Sequence, residues 1–249
     1  MELFRADEVF DEDYLHFYSA VLGHERNERE AAFVVRLAGI GEGTRVLDVP
    51  CGHGRIANRL ATLGADVIGV DIVDRFLEEA EKDAARRWVD VRYVRADMRE
   101  LVAAEPVDVV LCWYVSFGYF DDPVNRQVLD RFRAALRPGG RLVLDVHNRV
   151  AVARTVPATG RGRTVLMRRD GDLLVDTVRL DVDGDRVVTS RTIVRDGRLR
   201  ETAFVVRMFS AAELRDWLRV AGFRQVELFG LNGAPFTADS PRIVAVATA

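Results

Sequence analysis

VLDVPCGHGRIANRLA, residues 46–61, runs from an apolar strand-like segment through a glycine-rich turn into a helical pattern. Within it, Gly52-His53-Gly54-Arg55-Ile56-Ala57 fits G-x-G-x-x-A, the loop type that holds dinucleotide pyrophosphates. Its glycines let the backbone turn sharply and approach a ligand closely, and the helix that follows points unpaired N–H groups toward whatever binds. The loop alone does not separate one adenosine-bearing ligand from another, or a ligand site from a plain strand-to-helix turn.

Outward from this loop the chain alternates between two hydrophobic periods. Residues 44–49, 66–70, 91–95, 107–112 and 141–146 read as strands. Residues 55–63, 73–87 and 123–136 read as helices, the last ended by Pro138-Gly139-Gly140. Such alternation predicts a parallel sheet covered on both faces, with ligand loops at its carboxyl edge. The pattern changes after Asn148: residues 163–209 read as about four antiparallel strands, from their turn signals. Those turns are Arg169-Asp170-Gly171-Asp172, Asp183-Gly184-Asp185 and Asp196-Gly197, and Asp-Gly between alternating apolar residues is a strong hairpin signal. Ser210-Ala211-Ala212-Glu213 is a capping-box pattern opening a helix through Val220, and final strands near 225–229 and 242–247 can close the sheet. Residues 11–22 and 25–37 look helical. The expected organisation is one α/β unit over 1–153 and 210–249, with 1–40 as a helical cap. Residues 154–209 are expected to form an insertion that serves as a lid or a dimerisation element.

Composition narrows the partners. Of 249 residues, 49% are apolar and 30% charged, as in globular chains, and the net charge of -3 comes with no polybasic tail. Arginine heavily outnumbers lysine, but it is scattered among Asp and Glu, so no nucleic-acid partner is expected. The acidic start MELFRADEVFDEDYLHF lacks the basic and apolar regions of a signal peptide. The longest apolar run, 109–115, is too short to span a bilayer, so no membrane association is expected. Cys51 and Cys112 offer no disulfide framework, which points to a reducing cytoplasm. The four histidines lie far apart with no zinc spacing, so no metal site is expected.

Three acidic positions distinguish the adenosine ligands. Asp71 ends the second strand, where a carboxylate accepts from ribose hydroxyls of NAD and of S-adenosylmethionine alike. Asp48 immediately precedes the glycine turn. A carboxylate there disfavours a pyrophosphate but favours a sulfonium and an α-ammonium group. After the third strand, Asp97 can accept from an adenine amine and the Met98 thioether can lie against the ring, although Asp97 alone would equally suit a helix cap. Together they favour the sulfonium.

VLDVPCGHG, VIGVDI, RADM and the Pro-Gly-Gly before the fifth strand resemble motifs of class I S-adenosylmethionine-dependent methyltransferases. The resemblance spans almost the whole chain and is greatest to small-molecule enzymes, including glycine N-methyltransferase and N-methyltransferases of antibiotic biosynthesis. It implies a Rossmann-like, seven-stranded, mostly parallel sheet with helices on both faces and an antiparallel β insertion after the fifth strand. It also implies S-adenosyl-L-methionine as cofactor, S-adenosyl-L-homocysteine as product, and a role in secondary metabolism. By resemblance, Asp48, Gly52 and Gly54 surround the methionine moiety, Asp71 and Ile72 the ribose and adenine, and Asp97 and Met98 the adenine. Arg26 aligns with an arginine that pairs with the cofactor carboxylate, a task that suits a planar fork of donors; the alternative is a solvated helix-face charge. Pro50 stands in the loop where many relatives have Gly or Ala, a change expected to stiffen it without removing binding.

Methyl transfer is an in-line displacement that asks the protein for alignment, exclusion of water and accommodation of charge. Tyr14 and Tyr18, four apart on one helix face, are placed to close over the sulfonium, or equally to pack in a core. The fourth-strand loop from Cys112 carries Tyr114, Ser116, Phe117 and Tyr119 as candidate acceptor contacts, Cys112 facing the cofactor and Tyr119 a catalytic candidate beside Tyr18. His147 is a candidate base and Asn148 a candidate substrate contact at the fifth strand's end; a histidine bonded only to backbone is the alternative there. An Asn/Asp-Pro-Pro-Tyr loop is absent, which weighs against nucleobase methylation. The expected function is methylation of a nitrogen or oxygen of a small metabolite, by a chain with a possible homo-oligomeric state. An NAD(P)-dependent oxidoreductase and a non-catalytic cofactor-binding protein are the competing readings.

Overall fold

The computed structural model describes residues 4–157, 162–181, 183, 185–231 and 233–249. Two strands at its centre, β1 (Arg45–Asp48) and β4 (Val107–Cys112), send alternate side chains to opposite faces, as period-2 geometry requires. Leu47, Val110 and Cys112 enter one core, while Val46, Val109 and Leu111 enter the other. The first core is covered by α6 (Asp122–Ala135) and α8 (Ala211–Val220), through Val128, Leu129, Phe132, Leu214 and Trp217. The second is covered by α3 (His24–Ala38) and α4 (Ala57–Thr62), through Phe33, Val34 and Leu60. Burial on both faces explains why these strands read as continuous apolar runs.

The remaining strands of this sheet are β2 (Asp66–Asp71), β3 (Arg92–Arg95), β5 (Leu136–His147), β10 (Gln225–Phe229) and β11 (Arg242–Thr248). The order is β10-β11-β5-β4-β1-β2-β3, with β11 antiparallel to both neighbours and the other pairs parallel. The chain leaves β1 for β2 on one side and returns to β4 on the other. The crevice outside the β1 and β4 tips is therefore the switch point where such sheets take ligands. The helix α5 (Asp74–Arg87) follows β2 and flanks this crevice.

A second, four-stranded antiparallel sheet follows β5, as expected: β6 (Arg163–Arg169), β7 (Asp172–Asp181), β8 (Arg186–Arg195) and β9 (Arg198–Arg207). Asp170 and Gly171, and likewise Asp196 and Gly197, all have positive φ, as two-residue hairpin turns demand. Residues 158–161 of the expected insertion and Gly184 of its middle turn lie outside the described residues. The sheet is joined to the N-terminal α2 (Glu12–Val21) by Phe17 packing on Leu174 and Ile193.

Three features differ from the sequence expectation. β5 begins at Leu136, which pairs with Val107 across a register shift, so Pro138-Gly139-Gly140 is an irregularity inside the strand. Two helices were not expected, α1 (Ala6–Val9) and α7 (Arg149–Thr155). At four and seven residues they are too short for an apolar period to show. Among the described residues no helix is long and apolar enough to cross a membrane, and no His/Cys/Asp/Glu group is placed to hold a metal.

Candidate functional site

A cavity of about 600 Å³ opens at the switch point, within the range of about 300–1,000 Å³ usual for small-molecule sites. Its floor is acidic. Asp48, 2% exposed, has its pKa pushed up to about 8 by burial, with Arg55 opposing and Asp71 adding to the shift. Asp71 accepts from Gly52 N at 2.8 Å and from Val73 N at 3.0 Å. Burial raises its pKa against these backbone bonds. A carboxylate has about four acceptor sites, so these backbone bonds leave Asp71 able to accept from a hydroxyl as well. At the far end Asp97 caps the short turn Met98–Glu100, accepts from Arg99 N at 2.8 Å and pairs with the Arg99 guanidinium at 2.6 Å. Burial works against its charge, but the Arg99 bonds prevail and hold the carboxyl below its ordinary value.

The two glycines of the loop do different things. Gly52 has φ +56° and lines the cavity, where its N–H is taken by Asp71. Gly54 has φ +71° and faces α5, where a Cβ would strike the Tyr93 hydroxyl and lie 2.8 Å from Ala80 Cβ. Its role is close helix packing, and it is not among the cavity-lining residues.

Aromatic rings form the walls. Phe4, Phe10 and Tyr14 descend from the N-terminal segment, with Phe4 4.2 Å from Tyr119 and Tyr14 stacked on Tyr18 at 4.3 Å. Burial raises the phenol pKa of both Tyr14 and Tyr119, so both stay protonated as hydrogen-bond donors.

The β4 tip supplies Tyr114, Ser116, Tyr119 and Phe120. Tyr114 and Val115 have φ +64° and +58°, conformations that cost about 1–3 kcal/mol each outside glycine. Asp145 of β5 accepts from Tyr114 N at 3.0 Å through Oδ2, the same oxygen that Arg242 pairs at 2.5 Å. Burial pushes the Asp145 pKa up to about 6, with Arg242 opposing. Glu30 accepts from Trp113 Nε1 at 2.8 Å and pairs with Arg55 at 2.7 Å and Arg26 at 2.9 Å. Burial opposes its charge, yet Arg55, Trp113 and Arg26 together lower its pKa to about 2.

Of the sequence candidates, Tyr14, Asp48, Pro50, Gly52, Asp71, Ile72, Asp97, Met98, Tyr114, Ser116 and Tyr119 line this one cavity. The others lie elsewhere. Tyr18 sits behind Tyr14, its hydroxyl accepting from Arg191 at 3.1 Å in the insertion. Arg26 is committed to Glu30 and lies outside the lining. Cys112 is wholly buried on the opposite face of the sheet from the second core, because its position has the parity of Val110. Phe117 is 1% exposed and packs against Phe209 at 5.8 Å. Asn148 caps α7 and donates to Ala238 O and Ser240 O at 3.2 and 2.7 Å. His147 does not line the cavity; burial, with Arg242 adding, pushes its pKa down to about 4, so it is neutral at pH 7.

Sequence reasoning missed Arg55. It is 7% exposed, lines the cavity, and donates through Nη1 to Glu30 and to Asn27 at 3.1 Å. Its Nη2 is buried with no hydrogen-bond partner among the described residues. A buried donor left unmade costs about 1–3 kcal/mol, a cost that an acceptor group placed there would remove. The signal was present, since Arg55 directly follows the second glycine of the loop. Phe4 and Phe10 were also missed, because α1 itself was.

Residues 46–140 match the model of a methyltransferase domain family. A ubiquinone biosynthesis O-methyltransferase of Bordetella avium is 32% identical over 128 residues, 51% of this chain and 52% of that protein. The chain thus matches about half the length of the curated relatives it resembles. Among solved structures, an S-adenosylmethionine-dependent methyltransferase from Clostridium acetobutylicum superposes with a TM-score of 0.76 at 15% identity, over 95% of this chain and 98% of that one. An amino pentose methyltransferase from Micromonospora echinaspora, solved with S-adenosylmethionine bound, gives 0.62 at 23% identity, over 90% of each chain. These likenesses bear out the fold and the resemblance read from the motifs.

Proposed function

We propose that this chain, which carries a methyltransferase domain over residues 46–140, transfers a methyl group from S-adenosylmethionine to a nitrogen or oxygen of a small metabolite. The observation that carries the proposal is three carboxylates, Asp48, Asp71 and Asp97, around one cavity where, among the described residues, Arg55 Nη2 is a buried donor without a partner. That pattern matches a zwitterionic, cationic nucleoside from end to end. A dinucleotide fits worse, because a cation gains from ionising Asp48 beside the loop, whereas a pyrophosphate gains nothing from it in either form.

Asp48, Gly52 and Arg55 are assigned to the methionine end, with Arg55 in place of Arg26 for the carboxylate, since Arg55, unlike Arg26, lines the cavity, and its buried Nη2 has no hydrogen-bond partner among the described residues. Asp71 and Ile72 take the ribose side, and Asp97 and Met98 the adenine. The cofactor supplies the activated methyl group and the leaving group. The protein's part is alignment and dryness: Phe4, Phe10, Tyr14 and Phe120 exclude water, while the Tyr14 and Tyr119 phenols and the Ser116 hydroxyl orient an acceptor. His147 is not assigned as a base, since it lies outside the cavity; His53 lines it, and burial pushes its pKa down to about 4. The antiparallel sheet β6–β9 is assigned as a lid on the acceptor side, which it approaches through Phe204, 6.4 Å from Tyr119.

Incubation with methyl-labelled S-adenosylmethionine and a panel of small amines and alcohols tests this reading. Label transfer with stoichiometric S-adenosylhomocysteine is expected for at least one acceptor. Absence of transfer to any of them, together with no cofactor binding, would overturn it.

A further inference from the structure

The tip of β4 is held in a conformation its own residues resist. Tyr114 and Val115 are consecutive left-handed residues, and a β-branched valine is among the side chains least suited to that region. Neither bend residue is a core residue: Tyr114 and Val115 are half-buried, between the buried Trp113 and Phe117, which re-enters the first core. Two carboxylates outside the cavity lining impose it. Asp145 captures the Tyr114 N–H and fixes Arg242; Glu30 fixes Trp113, Arg26 and Arg55. The three guanidiniums surround the Tyr114 ring at 5.2, 4.8 and 5.2 Å from its centre, for Arg26, Arg55 and Arg242 respectively. Backbone and ring of one cavity-lining residue are thus gripped separately, in a segment that would otherwise relax.

The geometry points to Asp145 and Glu30 as positioning residues: acting through Tyr114 and Val115, they set the wall across the switch point from Asp48 against which the methyl donor binds. The inference rests on the methyl-transfer reading. A preorganised wall gains affinity by cutting what ordering it would cost at binding, so freeing the tip should weaken binding while sparing the fold.

Calorimetric titration with S-adenosylmethionine and S-adenosylhomocysteine tests this, in parallel with thermal unfolding. Glycine accepts the φ of Val115 without strain, so Val115→Gly is expected to keep or raise the unfolding midpoint while weakening S-adenosylmethionine binding about tenfold. In Asp145→Asn the amide oxygen still accepts from Tyr114 N, but the charge facing Arg242 is gone; a similar loss of affinity is expected. With Trp88→Phe and Trp217→Phe leaving Trp113 as the sole reporter, its emission should shift in the Asp145→Asn and Glu30→Gln variants. Adding Arg242→Gln to Asp145→Asn should recover part of the affinity, since the pair is coupled. Should Asp145→Asn not fold, Val115→Gly and Glu30→Gln decide alone. Wild-type protein that binds the cofactor, with Val115→Gly and Glu30→Gln binding it equally well, would overturn the positioning role and leave the methyl-transfer reading intact. Wild-type protein that binds neither compound would overturn both.

Discussion

Asp48 carries the electrostatics of the site. Its carboxyl is protonated over most of the range below about pH 8, because burial disfavours its charge. A cationic ligand favours the carboxylate, so S-adenosylmethionine uptake releases a proton, and affinity is expected to rise between about pH 6 and 8 and then level. Calorimetry in buffers of different ionisation heat would show the released proton, and Asp48→Asn should abolish it. The same shift affects stability in the opposite sense. The folded pKa lies above the unfolded value of 3.8, so the native state holds the extra proton between them. The stability this group adds in acid is lost as pH rises toward 8. Asp71→Ala removes the acceptor of two backbone N–H groups, and urea titration is expected to show about 1–3 kcal/mol lost for each donor left buried. Cofactor affinity should fall with it. Asp48, Asp71 and Asp97 were legible because a βα unit sends every strand's end to one edge. The side to which a strand-end residue turns is set by parity against cores that form only on folding, which is why Cys112, His147 and Asn148 were misplaced.

At the scale of elements, the N-terminal segment is fastened to the insertion. Arg200 pairs with Asp11 at 2.5 Å and with Asp13 at 2.6 Å, and donates to Glu8 O at 2.9 Å; Arg195 pairs with Asp13 at 2.9 Å. Arg169 bonds His16 O and Ser19. Single partly exposed pairs are worth about 0–1 kcal/mol, but these converge on the helix that carries Tyr14 over the cavity. Arg200→Gln is expected to speed amide exchange across residues 4–22 and to hasten cofactor release, as shown by hydrogen exchange and stopped-flow dissociation. Unchanged exchange there would show that the helix is held without Arg200, by Phe17 and the Arg195 and Arg169 bonds. None of this fastening was legible, because it joins residues nearly 190 positions apart in the chain. The hairpins it fastens to were legible, since Asp170-Gly171 and Asp196-Gly197 set their turns locally.

At the scale of the molecule, one core runs from β1 and β4 through β5 and β11 to α6 and α8. Phe132 is fully buried within it, so Phe132→Ala is expected to cost about 3–5 kcal/mol in denaturant unfolding. Bound cofactor should offset about 2.7 kcal/mol of that at a hundred times its Kd. This core was legible from apolar runs bounded by turns. The cavity was only half so, because Phe4 and Phe10 of its aromatic wall flank a short helix with no period, and Arg55, read as a helix start, was given no part in the site. Titration calorimetry at pH 8 with S-adenosylmethionine, and separately with NADH, tests most directly whether a carboxylate-lined cavity selects a cationic sulfonium nucleoside. S-adenosylmethionine is expected to bind at one site per chain, weakened by Asp71→Ala, with no heat from NADH; NADH binding without S-adenosylmethionine heat would contradict it.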